Sequence, residues 1–202
     1  MRPWSGRKGW RFALWVGLGL LAGVDPVEAQ EGFRFGATEV TLSAGYSFSH
    51  SIVSQNLDTV DGFHLIPHFG IFLTDAHGPG WGKGNLELLA ERTLLYLDGD
   101  KESATLTGLS ALGRWVFDAS SRVKPYVEAG VGVLGGETKF RQTDCDVNFI
   151  LEGGVGALVF LAPRAAITAG YRFHHVSNAD ACDQNLGLNS SLFILGVSYF
   201  FP

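Results

Sequence analysis

The sequence has no unbroken run of 18 apolar residues, so no transmembrane helix is expected. Charge is scarce, at 17% of residues, and 15 basic side chains face 20 acidic ones. That balance excludes a nucleic-acid binder, which needs a basic surface. It excludes little about lipid, where apolar surface dominates. Cysteine is limited to Cys145 and Cys182, too few for a disulfide-stapled scaffold. Helical periodicity is also missing between the apolar segments, which excludes an alternating α/β chain.

What is present begins with a leader. Residues 1–29 read as a secretory signal peptide. Arg2, Arg7, Lys8 and Arg11 form a positive start, Phe12 to Gly23 is apolar but short for a bilayer, and Val27-Glu28-Ala29 ends in a small residue. Uncleaved, the same stretch would be a membrane anchor. Its removal takes away four basic and two acidic residues and leaves a formal charge of −7. The remainder, 30–202, is one domain.

Within it, apolar and polar residues alternate in eight segments: 37–50, 60–73, 85–97, 104–117, 124–134, 148–161, 165–177 and 190–201. Turn residues separate them, among them Gly78-Pro79-Gly80, Asp98-Gly99-Asp100 and Ala162-Pro163-Arg164. Eight such strands predict an all-β fold, an antiparallel up-and-down barrel.

The two faces of each strand choose between a soluble and a membrane barrel. Val40, Leu42, Ala44, Tyr46 and Phe48 oppose Thr41, Ser43, Gly45 and Ser47, and Val127, Ala129, Val131 and Val133 oppose Glu128, Gly130 and Gly132. The polar face is rich in glycine and serine, which suits a narrow lumen. Trp115, Phe117, Tyr199 and Phe201 cluster near strand ends, as interfacial girdles do. Both features favour a transmembrane barrel with its apolar face turned to lipid, in the bacterial outer membrane. A soluble periplasmic binding barrel would reverse the faces. The lumen is then expected to hold Glu39, His64, His68, Glu87, Glu91, Arg114, Glu128, Glu152, Arg172 and His174, mutually paired as a structural plug. His64 and His68 stand four residues apart on a strand, about 13 Å, too far to share a metal. No metal or cofactor is expected. Arg92 falls on the lipid side, which requires either a bulge or a side chain reaching the head groups.

Both termini of an eight-stranded barrel share one end, so Cys145 and Cys182 lie in neighbouring loops at the other. In an exported chain they are expected to form a disulfide, two unrelated thiols being the alternative.

The last strand pair reads YRFHHVSNADACDQNLGLNSSLFILGVSYFF from Tyr171 to Phe201. It contains His175-Val176-Ser177-Asn178, then Asn185-Leu186-Gly187, then Asn189. This segment resembles the signature of the lipid A 3-O-deacylase (PagL) family, small outer-membrane barrels that hydrolyse an ester-linked acyl chain of lipopolysaccharide. The family pattern is His-x-Ser-Asn, a loop with Asn-x-Gly, and an acidic residue two positions after the glycine. Here that last position is Asn189, a departure from the pattern.

The resemblance implies an esterase acting on lipid A, with lipopolysaccharide as substrate and membrane lipid around it. His175 and Ser177, at i and i+2 of a strand, share a face with Cα atoms about 6.8 Å apart, near enough for an imidazole to meet a hydroxyl. The roles that follow are base for His175, nucleophile for Ser177 and orienting group for Asn189. Backbone N–H groups from Asn178 to Asp180 and the Asn185 side chain are expected as oxyanion donors or loop supports, with Gly187 in the same loop. Asp180 or Asp183 could replace the missing acid. The alternative function is a non-catalytic structural or adhesive barrel. A homodimer is compatible with either.

Overall fold

The computed structural model describes residues 33–50 and 58–202; the signal-peptide reading for 1–29 lies outside them. The strands are β1 (Thr38–Ser49), β2 (Val60–Phe72), β3 (Gly84–Gly99), β4 (Ser103–Phe117), β5 (Val123–Gly135), β6 (Val147–Ala162), β7 (Ala165–Ser177) and β8 (Leu188–Phe201). Each pairs antiparallel with the next, and β1 pairs with β8 from Thr38↔Phe201 to Ser49↔Ser190, closing the barrel. The expected and observed strands agree to within a few residues at each end. A 3-10 turn at Gly80–Gly82, between β2 and β3, was not anticipated.

The faces lie as the alternation predicts. Leu109, Leu195, Phe63 and Val131 are exposed by 70%, 63%, 62% and 60%, and outward apolar side chains recur on every strand. A water-soluble barrel could not leave this much apolar surface bare, so the exterior is built for lipid. The protein is expected to require detergent and to migrate differently on gels before and after heating. Free solubility in water, with no heat-dependent shift, would contradict the outward apolar face.

Inside, all ten expected lumenal side chains are buried. Arg114 reaches Glu128 at 3.0 Å, Glu39 at 3.2 Å and Glu87 at 3.4 Å. Arg172 reaches Glu128 at 2.5 Å, Glu91 at 2.8 Å and Glu152 at 3.1 Å. Glu128 thus bridges the two guanidiniums. His174 Nε2 stands 2.9 Å from Glu152, and His68 Nε2 lies 3.3 Å from Glu39. Burying these ions separately would be prohibitive; as a connected set they fill the lumen and pair through the two guanidiniums, while Glu87 Oε1, Glu91 Oε2 and Glu152 Oε1 have no hydrogen-bond partner among the described residues.

Apolar plugs close both ends of the polar column. At the terminal end Phe33, ahead of the first strand, stacks on Phe72 at 4.0 Å and packs against Phe200 and Phe160. At the opposite end Leu97, Leu106, Leu134, Phe140, Val176 and Leu188 belong to a second buried cluster. Arg92 faces outward, and β3 and β4 pair continuously past it at Arg92↔Leu109. Of the two expectations for it, the bulge is excluded.

Candidate active site

The site is built where β7 and β8 meet the loop between them. Antiparallel register makes His175 the cross-strand partner of Asn189. Asn189 Oδ1 lies 2.8 Å from His175 Nδ1. Because an amide oxygen only accepts, this bond places the proton on Nδ1 and leaves Nε2 as the acceptor. Ser177 follows on the same outward face, and both residues are half-buried. Among the described residues Ser177 makes no hydrogen bond to His175; a loose nucleophile–base pair is common without substrate.

Register also determines what lies in front of them. One cross-strand row runs Leu109, Val133, Phe149, Ser177, and the next runs Ala111, Val131, Leu151, His175. Together they line an open groove of about 620 Å³ on the lipid-facing exterior, with walls that are apolar apart from Ser110 and the His175–Ser177 edge. The four strands β4 to β7 give it a width of about 14 Å. This groove was not read from the sequence. The outward residues of each strand were legible, but their alignment across four strands depends on register.

The loop is braced rather than free. The Asn178 backbone N–H donates to Asn185 Oδ1 at 2.9 Å, and Asn185 Nδ2 donates to Asp180 Oδ1 at 2.7 Å. The buried Asn178 side chain donates to Gln184 O at 2.7 Å. Of the two roles expected for Asn178 and Asn185, these bonds match loop support, and the Asn178 N–H is no longer available to an oxyanion. Asp180 is likewise engaged in the loop, and Asp183 is exposed; the partner at His175 Nδ1 is Asn189. Ala179 and Asp180 both have positive φ, at 55° and 63°, where the chain turns out of β7.

Gly187 has two reasons to be glycine. Its φ is +76°, and a Cβ there would stand 2.7 Å from His175 Cε1. Gly187→Ala therefore strains the backbone and pushes the imidazole aside. The expected result is a folded barrel in which any His175-dependent chemistry falls at least about tenfold, since small misplacements of catalytic groups are costly. Retention of the His175 environment in an NMR spectrum of Gly187→Ala would contradict this.

The loop between β5 and β6 supplies the outer brace; the expected disulfide pointed to it through Cys145, but the hydrogen bonds it makes were not read from the sequence. Thr143 bridges to Asn185, Gln142 O accepts from Gly187 N–H at 3.1 Å, and Asp144 accepts from Gln184 N–H at 3.0 Å. The Cys145–Cys182 disulfide ties the two loops across a sequence separation of 37. Closing such a loop is worth about 3–4 kcal/mol in the chain-entropy model, less here because the strands already confine its ends. Cys145 is the residue through which the sequence pointed to this loop.

The family model for lipid A 3-O-deacylase (PagL) matches residues 69–198. Among solved structures the chain is similar to the crystal structure of Neisserial surface protein A, with a TM-score of 0.58 and 19% identity over 82% of this chain and 99% of that one. It is also similar to the crystal structure of the outer membrane enzyme PagL, with a TM-score of 0.56 and 19% identity over 78% of this chain and 97% of that one. At such identity these likenesses show the fold. No curated protein matches the chain.

Proposed function

The chain belongs to the lipid A 3-O-deacylase (PagL) family, and from that premise we propose that it is an outer-membrane esterase that removes an ester-linked acyl chain from lipid A. The observation that carries this reading is the placement of the His175–Asn189 pair, with Ser177 beside it, on the lipid-facing rim at the edge of an apolar groove. That rim is the end opposite the termini. In an outer-membrane barrel it meets the outer leaflet, where an acyl chain can lie in the groove with its ester at Ser177.

The chemistry follows from the tautomer. His175 Nε2 takes the proton from Ser177 Oγ as the oxygen attacks the ester carbonyl. The tetrahedral oxyanion would be met by the backbone N–H groups of Ala179 and Asp180. Collapse expels the sugar alkoxide, which is protonated by His175, and leaves the acyl group on Ser177. Water, activated by the same imidazole, then releases the fatty acid. Asn189 orients the ring throughout but carries no charge to offset the imidazolium.

Mass spectrometry of lipid A from cells with and without this protein tests the reading. The expected product has lost one ester-linked acyl chain. Asn189→Glu is expected to raise the rate about tenfold or more, because a carboxylate stabilises the imidazolium as an amide does not. An unchanged rate would show that charge at position 189 is not limiting.

A second reading, a non-catalytic structural or adhesive barrel, is favoured by specific observations. Asn189 stands at the acidic position, Ser177 is not bonded to His175, and the fold is equally that of Neisserial surface protein A. Unaltered lipid A with both the wild type and Asn189→Glu would decide for it.

A further inference from the structure

Behind Asn189, on the side away from the groove, lies a second and different cavity. It measures about 80 Å³ and is lined chiefly by polar residues, among them Ser49, His50, Asp58, Gln142 and Asn189. That volume accommodates water, which needs several polar partners. Gln142 supplies one. It is 2% exposed, and its Oε1 is buried with no protein partner. Its other contacts span the cavity: Nε2 donates to Asp58 O at 2.7 Å, and its backbone oxygen accepts from Gly187 N–H. With Asn189 Oδ1 committed to His175, the amide Nδ2 makes no protein hydrogen bond among the described residues. Among the described residues Asp58 is the carboxylate lining the cavity, and its side chain is only 12% exposed.

We propose that Asp58 is a positioning residue that supplies the negative charge missing from position 189, acting on the His175 imidazolium through the Asn189 amide and water in this cavity. The proposal rests on the esterase reading above. Asn189 would then polarise in relay: Nδ2–H donates toward the water and Asp58, and Oδ1 becomes a stronger acceptor for His175 Nδ1–H. A charge at one remove in a small, partly enclosed cavity is screened less than on an open surface. Arg141 tempers the effect, its Nε lying 3.6 Å from Asp58 Oδ1 and its backbone N–H donating to Oδ2 at 3.1 Å. Asp58 would therefore supply part of the stabilisation that a carboxylate at position 189 provides directly.

A double-mutant cycle tests it. Wild type, Asp58→Asn, Asn189→Glu and the double variant are purified in detergent and assayed on lipopolysaccharide, with a lipophilic phosphonate probe reporting labelling of Ser177. Asp58→Asn is expected to lower kcat about tenfold with KM unchanged, the size of coupling found within one polar network. In the Asn189→Glu background, where the charge is already adjacent to His175, the same substitution should cost less than about twofold. Asp58→Glu should retain most of the wild-type rate. Equal losses in both backgrounds, or a change in KM alone, would overturn the proposal and leave Asp58 as a brace for the loop carrying Arg141. Phosphonate labelling of Ser177 together with such equal losses would overturn Asp58 alone. Absence of both labelling and turnover in all four forms would overturn the esterase reading and the role of Asp58 with it.

Discussion

Ser177→Ala is expected to reduce acyl release from lipid A by at least about 10³-fold, the scale on which removing a serine nucleophile acts. His175→Ala should be equally severe, and the double variant no worse than either alone, because nucleophile and base act as one unit. The barrel should be untouched. Both side chains are half-buried on the exterior rim, and neither contributes to the lumenal ion network or to the end plugs. The heat-dependent gel shift therefore separates loss of chemistry from loss of fold. If Ser177→Ala keeps more than about a tenth of the wild-type rate, Ser177 is not the nucleophile. The reaction would then require another activated oxygen at the groove.

Arg114→Leu is expected to have the largest effect on stability. Its guanidinium holds Glu39, Glu87 and Glu128, and its planar face lies 4.4 Å from the centre of the Tyr126 ring. Leucine fills part of the space but leaves three buried carboxylates facing one another, with Arg172 left to hold Glu128 and His68 beside Glu39. Breaking a buried ion network from one side costs about 3–5 kcal/mol. Denaturant titration in detergent, followed by tryptophan fluorescence, should show that loss or a failure to form the heat-shifted species. Adding Glu87→Gln should recover part of it by removing one surplus charge. If the double variant is as unstable as Arg114→Leu, packing rather than charge makes Arg114 necessary.

The strand count, the closed meander and the choice of inward and outward faces were all legible in the residues. Side chains in a strand alternate strictly, so Val127, Ala129, Val131 and Val133 cannot share a face with Glu128. The same rule placed His175, Ser177 and Asn189 outward and the ten ionisable residues in the lumen. The Cys145–Cys182 bond followed from chain topology and export chemistry. Alternation, however, is a property of one strand at a time. It does not say which outward residues of β4, β5 and β6 line up with Ser177 and His175, and so the groove appears only once register is set. Nor does it reach the loops. The use of Asn178 and Asn185 as braces and the contact of Gly187 with the His175 ring depend on the path of an irregular loop, and the placing of Asp58 behind Asn189 joins residues far apart in the chain. Local pattern is determined by bonding geometry within a strand, whereas loop contacts depend on side-chain hydrogen bonds outside the ladder and the placing of Asp58 on barrel closure, which brings the end of β1 beside β8.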